Sequence, residues 1–445
     1  MVVHLYGGQI LMDNLNIMEF TPQQKQQYVT RYVKIAEKLS VHDSMLNFSE
    51  LWDAVQPLIS EIKKHKELLK HITETEFFLL IEGGFRKLSQ KNTDGGNYKL
   101  TDRITATEIQ EEAEKFIKFL EGIPYEYLYY FRVPIEFPDG LAEIKITDDV
   151  SLLKPLKCYG DAFLVPLPSP SSLALALFAG KGNYRVREED VFCEIRVRGY
   201  GDRAQAEAST VFKQFLYLAE ASGLLHSLKW KRQPNVKYDI NVYKRPAVDG
   251  NTLTDFTLPA DIAAYISGLT LDDNRFKDFV PRKKNPSSRS LLDHYDDTRE
   301  AYFEREFRKG CNRFIELHNA SKKDHRSHIV AAIEWGFDGE ANANETMGFI
   351  QVCIGLEALL GDKNAGGQRS LTEKLADRCA YLLGNTPDFR QTLRKDFEKI
   401  YELRSRLVHG VWLTVKDEHR ATVSQAGDLL KRLVYKELWL SQQND

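Results

Sequence analysis

The sequence predicts an α+β multidomain protein with a mostly helical N-terminal region (1–122), an α+β middle region (123–285) and an all-α bundle at the C-terminus (286–445). Three observations predict it. Apolar residues recur at helical spacing through the first region, β-rich runs punctuated by Pro and Gly occupy the second, and uninterrupted helical periodicity fills the third. In the first region Leu51, Val55, Leu58, Ile59 and Ile62 recur at three and four, and the helical pattern from about 22 to 122 breaks at the turn-rich stretch 90–97.

The middle region opens on the aromatic run 127–137 (YLYYFRVPIEF) and contains 191–197 (VFCEIRV), both rich in residues that suit a pleated, half-buried surface. One helix near 204–222 interrupts the strands. The stretch 280–289 (VPRKKNPSSR) combines two prolines, two serines and four basic residues, the composition of an exposed connection, and marks the boundary with the C-terminal region. Beyond it helices are predicted over 294–320, 326–337, 343–361, 370–384, 388–412 and 418–441. Gly361 and Gly410 fall where a left-handed residue ends a helix, and Thr386-Pro387 offers an N-cap followed by proline in the first turn.

Composition narrows the function. The 445 residues carry a formal charge of −3, with 42% hydrophobic and 28% charged residues, an ordinary globular balance. Such a charge attracts neither nucleic acid nor acidic lipid globally, so any RNA contact must come from a local basic patch. The five cysteines (Cys158, Cys193, Cys311, Cys353, Cys379) are scattered and form no Cys-x-x-Cys pair, which argues against a disulfide framework and a cysteine zinc site and points to a reducing, cytoplasmic compartment. The first thirty residues include Asp13 and Glu19 and assemble no signal peptide, and no apolar window predicts a membrane span.

The chemistry-bearing stretch is 397–410, FEKIYELRSRLVHG. An arginine such as Arg404 can hold a phosphate through a bidentate fork, and a histidine such as His409 can move a proton. Those are the two services that RNA cleavage by its own 2′-hydroxyl requires, and neither needs a metal or cofactor. Arg-x4-His occurs three times, at Arg289–His294, Arg313–His318 and Arg404–His409. The first lies in the Pro/Ser-rich connector and the second has bulky Phe314 after its arginine. Only the third lies in a long amphipathic helix with a small hydroxyl, Ser405, after the arginine.

Ser405 and His409 are one turn apart on nearly the same face, while Arg404 and His409 are offset by about 140°. A single helix is therefore an incomplete site. Two copies meeting across a two-fold axis bring two arginines and two histidines to one phosphodiester, so a homodimer is expected. The bland alternative makes Arg404 a solvated helix charge and His409 a C-terminal residue interacting with the helix dipole.

The ordered set of 354–360 (IGLEALL), a Gly/Asn-containing loop, 371–384 (LTEKLADRCAYLLG) and 401–410 (YELRSRLVHG) resembles the HEPN superfamily, most closely its ApeA-like branch. The resemblance implies a HEPN-like helical bundle at 286–445 and metal-independent endoribonuclease activity by dimers, often as toxins in abortive infection and antiphage defence. It assigns the motif arginine to Arg404, the polar position to Ser405 and the histidine to His409, and it brings Glu357 toward the same cleft. It also implies 2′,3′-cyclic phosphate and 5′-hydroxyl product ends and an upstream region that senses a phage-derived trigger or restrains the nuclease. Read without the resemblance, Glu357 pairs between helices with Arg378 or Arg406, and the Ser405 hydroxyl bonds the carbonyl four residues back.

Other constellations are weaker. Arg406, together with Lys229, Lys231 and Arg232 of the run Lys229-Trp-Lys-Arg232, could contact RNA, although short basic runs are usually solvated. His325 and His328 beside Asp324 lack a convincing third metal ligand. Gly366-Gly367 lacks the lysine and hydroxyl of a P-loop. Two non-enzymatic readings stay open: a helical dimerisation or interaction module whose N-terminal part binds a ligand or partner, and a substrate-binding accessory of a nucleotidyltransferase.

Overall fold

The computed structural model describes residues 19–43, 45–91, 96–154, 190–227, 242–246, 254–256, 258–272, 276, 298–320, 326–361 and 370–443. The described residues are mostly helical with a few small sheets, an α+β architecture. Two compact units divide the chain: 1–127 with 197–207, and 128–196 with 208–445. The middle and C-terminal regions, which differ in secondary structure, thus fall together within the second unit, apart from 123–127 and 197–207. The connector 280–289 lies outside the described residues.

The first unit contains α1 (Pro22–Ala36), β1 (Ser40–His42), β2 (Met45–Leu46), α2 (Phe48–Ile62), α3 (Lys66–His71), α4 (Glu74–Gln90), β3 (Tyr98–Lys99), α5 (Leu100–Arg103) and α6 (Ala106–Glu121). Three of the helices start on the same device. Thr21, Thr73 and Thr105 each accept from the backbone three residues on, and the Gln or Glu there reaches back to the threonine N–H. The apolar stripe read from the sequence (Leu51, Val55, Leu58, Ile59, Ile62) is buried as expected. Aromatic rings complete the core, with Tyr32 stacked on Phe85 at 4.5 Å and Phe77 edge-on to Phe116 at 5.4 Å.

Six strands form the main sheet in the order β10-β9-β4-β7-β6-β5: β4 (Tyr125–Val133), β5 (Glu143–Lys145), β6 (Val150–Leu153), β7 (Val191–Gly199), β9 (Val242–Pro246) and β10 (Thr254–Phe256). Antiparallel register sets Ile144 opposite Leu152 and Leu152 opposite Cys193. The strand predicted over 127–137 starts two residues earlier and stops at Val133, because Pro134 cannot donate to a ladder. The intervening helix α7 (Gly201–Ala221) carries Phe212, whose ring stacks on Phe131 of β4 at 4.3 Å. A two-stranded ladder pairs β8 (Leu225–Ser227) with β11 (Leu269–Leu271), and α8 (Ala260–Ser267) precedes β11.

Everything described after residue 298 is helical: α9 (Arg299–Gly310), α10 (Asn312–Ala320), α11 (Ser327–Ala341), α12 (Glu345–Leu360), α13 (Leu371–Leu383), α14 (Pro387–Val408) and α15 (Arg420–Gln443), with a 3₁₀ turn at Asp417–His419. The single helix predicted over 294–320 is two, broken at Cys311. Gly361 is not left-handed: it leaves α12 extended, at φ −66° and ψ 139°. Gly410 does take the left-handed conformation, φ +71°.

Helices α11 and α12 approach so closely that two glycines touch. A Cβ on Gly339 would lie 2.6 Å from the carbonyl oxygen of Gly348. Because backbone rather than a flexible side chain blocks the space, Gly348→Ala must push the helices apart, at about 3 kcal/mol. Thermal denaturation should show this as a clear fall in melting temperature, whereas alanine at Gly83, which meets nothing within 4 Å, should not destabilise.

Candidate functional site

Helix α14 starts where the sequence places it. The Thr386 hydroxyl accepts from the Phe389 N–H at 3.3 Å, and Pro387 fills the first turn, where no backbone donor is needed. Thr386→Ala should cost about 1 kcal/mol, readable as a small downward shift of the denaturant midpoint without a change in slope. The buried face of α14 runs through Leu393, Phe397, Ile400, Tyr401, Leu403 and Leu407. Arg404 lies one turn beyond Ile400 and Tyr401, so the packing that buries those two side chains also turns the arginine inward.

The guanidinium of Arg404 meets the carboxylate of Glu357 on α12 at 3.1 Å, with both side chains 28% exposed. This corrects the expected partners of Glu357. Arg378 instead pairs with Glu437 at 3.4 Å, and Arg406 with Glu402 one turn back on its own helix. Two further residues complete the cluster, each one turn from a member of the pair. Burial pushes the Tyr401 hydroxyl pKa up, and the negative charge of Glu357 adds to the rise. Burial likewise raises the Cys353 thiol, opposed by the positive charge of Arg404 and assisted by Glu357. Cys353 therefore stays a thiol at neutral pH and is no nucleophile. Arg404 Nε is buried without a hydrogen-bond partner among the described residues.

His409 is the C-terminal cap of α14 and is exposed. Its N–H donates to the Ser405 carbonyl at 3.0 Å, and Gly410 N–H donates to Leu407 at 3.2 Å, which closes the helix and reverses the chain. Its imidazole makes no ion pair or hydrogen bond among the described residues. Ser405 is also exposed, and among the described residues its hydroxyl bonds no carbonyl, contrary to the expected bond four residues back. Thus the structure brings Arg404 and Glu357 together, while Ser405 and His409 face water on their own.

The segment after Gly410 returns to α12, where Val415 N–H donates to the Thr346 hydroxyl at 2.9 Å. Trp412 stacks on His419 at 4.7 Å, with the Arg406 guanidinium 4.7 Å and the Lys416 ammonium 4.6 Å from its ring centre. Sequence reasoning missed Cys353, Tyr401 and this loop. One-turn spacing from Glu357 and Arg404 was the available signal for the first two. The loop had none, because Trp412 and His419 meet only after the chain reverses.

Of the other Arg-x4-His copies, Arg313 pairs with Glu316 and stacks over the Tyr435 ring at 4.6 Å, and burial lowers the His318 pKa. Arg289 and His294 lie outside the described residues, as do Lys229, Lys231 and Arg232, the Gly366-Gly367 loop, Cys158, Asp324 and His325. His328 lies in the first turn of α11. Among the described residues no helix is long and apolar enough to cross a membrane. No protein-family model, curated protein or solved structure matches the chain.

Proposed function

We propose that the chain is a metal-independent endoribonuclease of the HEPN type, working as a homodimer, in which Arg404 and His409 of each copy act on one phosphodiester. The observation that carries the reading is the different treatment of the two motif residues. Glu357 holds Arg404 half-buried at 3.1 Å, while His409 stands exposed at a glycine-closed helix end. A fixed cation and a free proton-transfer group are what in-line attack by a 2′-hydroxyl needs.

In the proposed reaction the 2′-oxygen bonds to phosphorus as the bond from phosphorus to the 5′-oxygen breaks. One histidine takes the 2′-hydroxyl proton, and the partner's His409 delivers a proton to the leaving 5′-oxygen. Arg404 offsets the charge that accumulates on the pentacoordinate phosphorus. The products are a 2′,3′-cyclic phosphate and a 5′-hydroxyl. Ser405, one turn before His409 and exposed, orients the phosphate, and Arg406 lies next to it on the same helix end. The N-terminal unit restrains or triggers the nuclease, in keeping with a cytoplasmic antiphage role and a phage-derived trigger.

One observation favours a second reading, a non-catalytic interaction module. Val408, Val411 and Leu413 are 46%, 67% and 89% exposed at the same helix end and in the segment that follows it, the composition of a docking surface. Incubation of RNA in EDTA with wild type and with Arg404→Ala and His409→Ala variants separates the two. Cutting that both substitutions abolish supports the nuclease, and silence from a folded dimer supplied with phage extract supports the module.

A further inference from the structure

A cavity of about 390 Å³ opens beside the C-terminal helix, away from the Arg404–Glu357 pair in sequence and element. Its walls come from α15 (Lys431, Arg432, Tyr435, Lys436, Trp439) and Arg313 of α10, with the ends of α7 and α13 at its margins. The α15 residues 432, 435, 436 and 439 follow helical spacing, so cations and aromatic rings form one stripe on a single face.

The charges are not all spoken for. Arg313 is neutralised by Glu316, and Lys431 is held between Glu220 at 2.9 Å and Glu340 at 3.0 Å. The nearby Glu437 on α15 is taken up by Arg378, and Asp377 on α13 by Arg394 at 3.0 Å. Arg432 and Lys436 pair with no carboxylate among the described residues, which leaves two uncompensated positive charges at the mouth. The rings are positioned as well. The Lys436 ammonium sits 3.9 Å from the Trp439 ring centre, the Arg313 guanidinium 4.6 Å from that of Tyr435, and Trp439 remains 37% exposed.

We propose that this cavity binds a nucleoside phosphate. Arg432 and Lys436 would take the phosphate, because cations without partners favour a group with several anionic acceptors. Trp439 and Tyr435 would stack the base, a service every base can use through its π-face. The volume falls at the small end of ligand pockets and matches a single nucleotide. A groove for an RNA strand would instead track several phosphates along the surface.

Titration calorimetry of the full chain with ADP, adenosine and inorganic phosphate tests the proposal, independently of any RNA cleavage. ADP should bind, and both fragments should bind at least about tenfold more weakly. Arg432→Ala and Lys436→Glu should each weaken ADP about tenfold or more, and added salt should weaken it further. Trp439→Ala should weaken ADP about tenfold while Trp439→Phe retains most of the affinity. These side chains line an open surface, so the variants should melt with the wild type; the ADP-to-phosphate comparison on the wild type stands even where a variant does not. Absence of ADP binding would overturn the proposal. So would inorganic phosphate binding as tightly as ADP, equal affinity in folded variants, or a single-stranded oligonucleotide binding where ADP does not.

Discussion

RNA cleavage in EDTA should be lost by about 10²–10⁴-fold in His409→Ala, the span that a single proton-transfer group contributes. Arg404→Ala should lose about 10²–10³-fold, the scale of one donor aimed at developing charge. The two variants should differ in stability. His409 is exposed and its imidazole makes no hydrogen bond or ion pair among the described residues, so its alanine variant should melt with the wild type. Arg404→Ala leaves Glu357 half-buried without its cation and should melt lower.

Glu357→Gln separates placement from chemistry. Glutamine keeps the length and accepts one hydrogen bond from the guanidinium but carries no charge. A loss of about tenfold is expected, because the arginine is less firmly held rather than absent. The end groups of the residual products should remain cyclic phosphate and 5′-hydroxyl. Products with 5′-phosphate ends, or full activity in folded His409→Ala, would sink the proposed site.

The second large effect concerns stability. Lys431 is buried between Glu220 and Glu340, whose side chains are only 8% and 3% exposed, and Glu220 also accepts from the Tyr265 hydroxyl. Burial pulls the Lys431 pKa down, but the charges of Glu340 and Glu220 outweigh it and raise it above its ordinary 10.5. For a base whose folded pKa is raised, the stabilisation is complete below the unfolded value and is lost as pH rises through the folded one. Wild-type stability from this lysine should therefore hold at neutral pH and decline above about pH 10.5.

Lys431→Met should cost about 3–5 kcal/mol at neutral pH, because it strands two carboxylates in the interior. Those carboxylates would then carry raised folded pKa values, so the deficit should narrow as pH falls into the carboxylate range, about 4. Combining Lys431→Met with Glu220→Gln and Glu340→Gln should restore much of the loss. Chemical denaturation across pH reads all three, and a Lys431→Met protein as stable as wild type at pH 7 would refute the account.

The helices were legible from local chemistry. Thr386, Pro387 and Gly410 bracket α14 and act at its two ends as their side-chain and backbone preferences require. The spacing of Phe397, Ile400, Tyr401 and Leu407 already implied its buried face. Gly361 shows where local reading stops. Glycine permits a left-handed exit without demanding one, and this helix leaves in an extended conformation.

By itself the sequence determined the ends of α14, the strand-rich middle and the motif that joins Arg404, Ser405 and His409, because caps, turns and periodicity act over a few residues. Only the tertiary structure decided that Glu357 faces Arg404, that Arg378 and Arg406 are engaged elsewhere, and that cations and rings of α15 share a cavity with Arg313. Periodicity says which residues point inward; it does not say what they meet there. Partner choice between helices depends on their distance and rotation; between α11 and α12, for example, Gly339 and Gly348 let the two backbones close to contact.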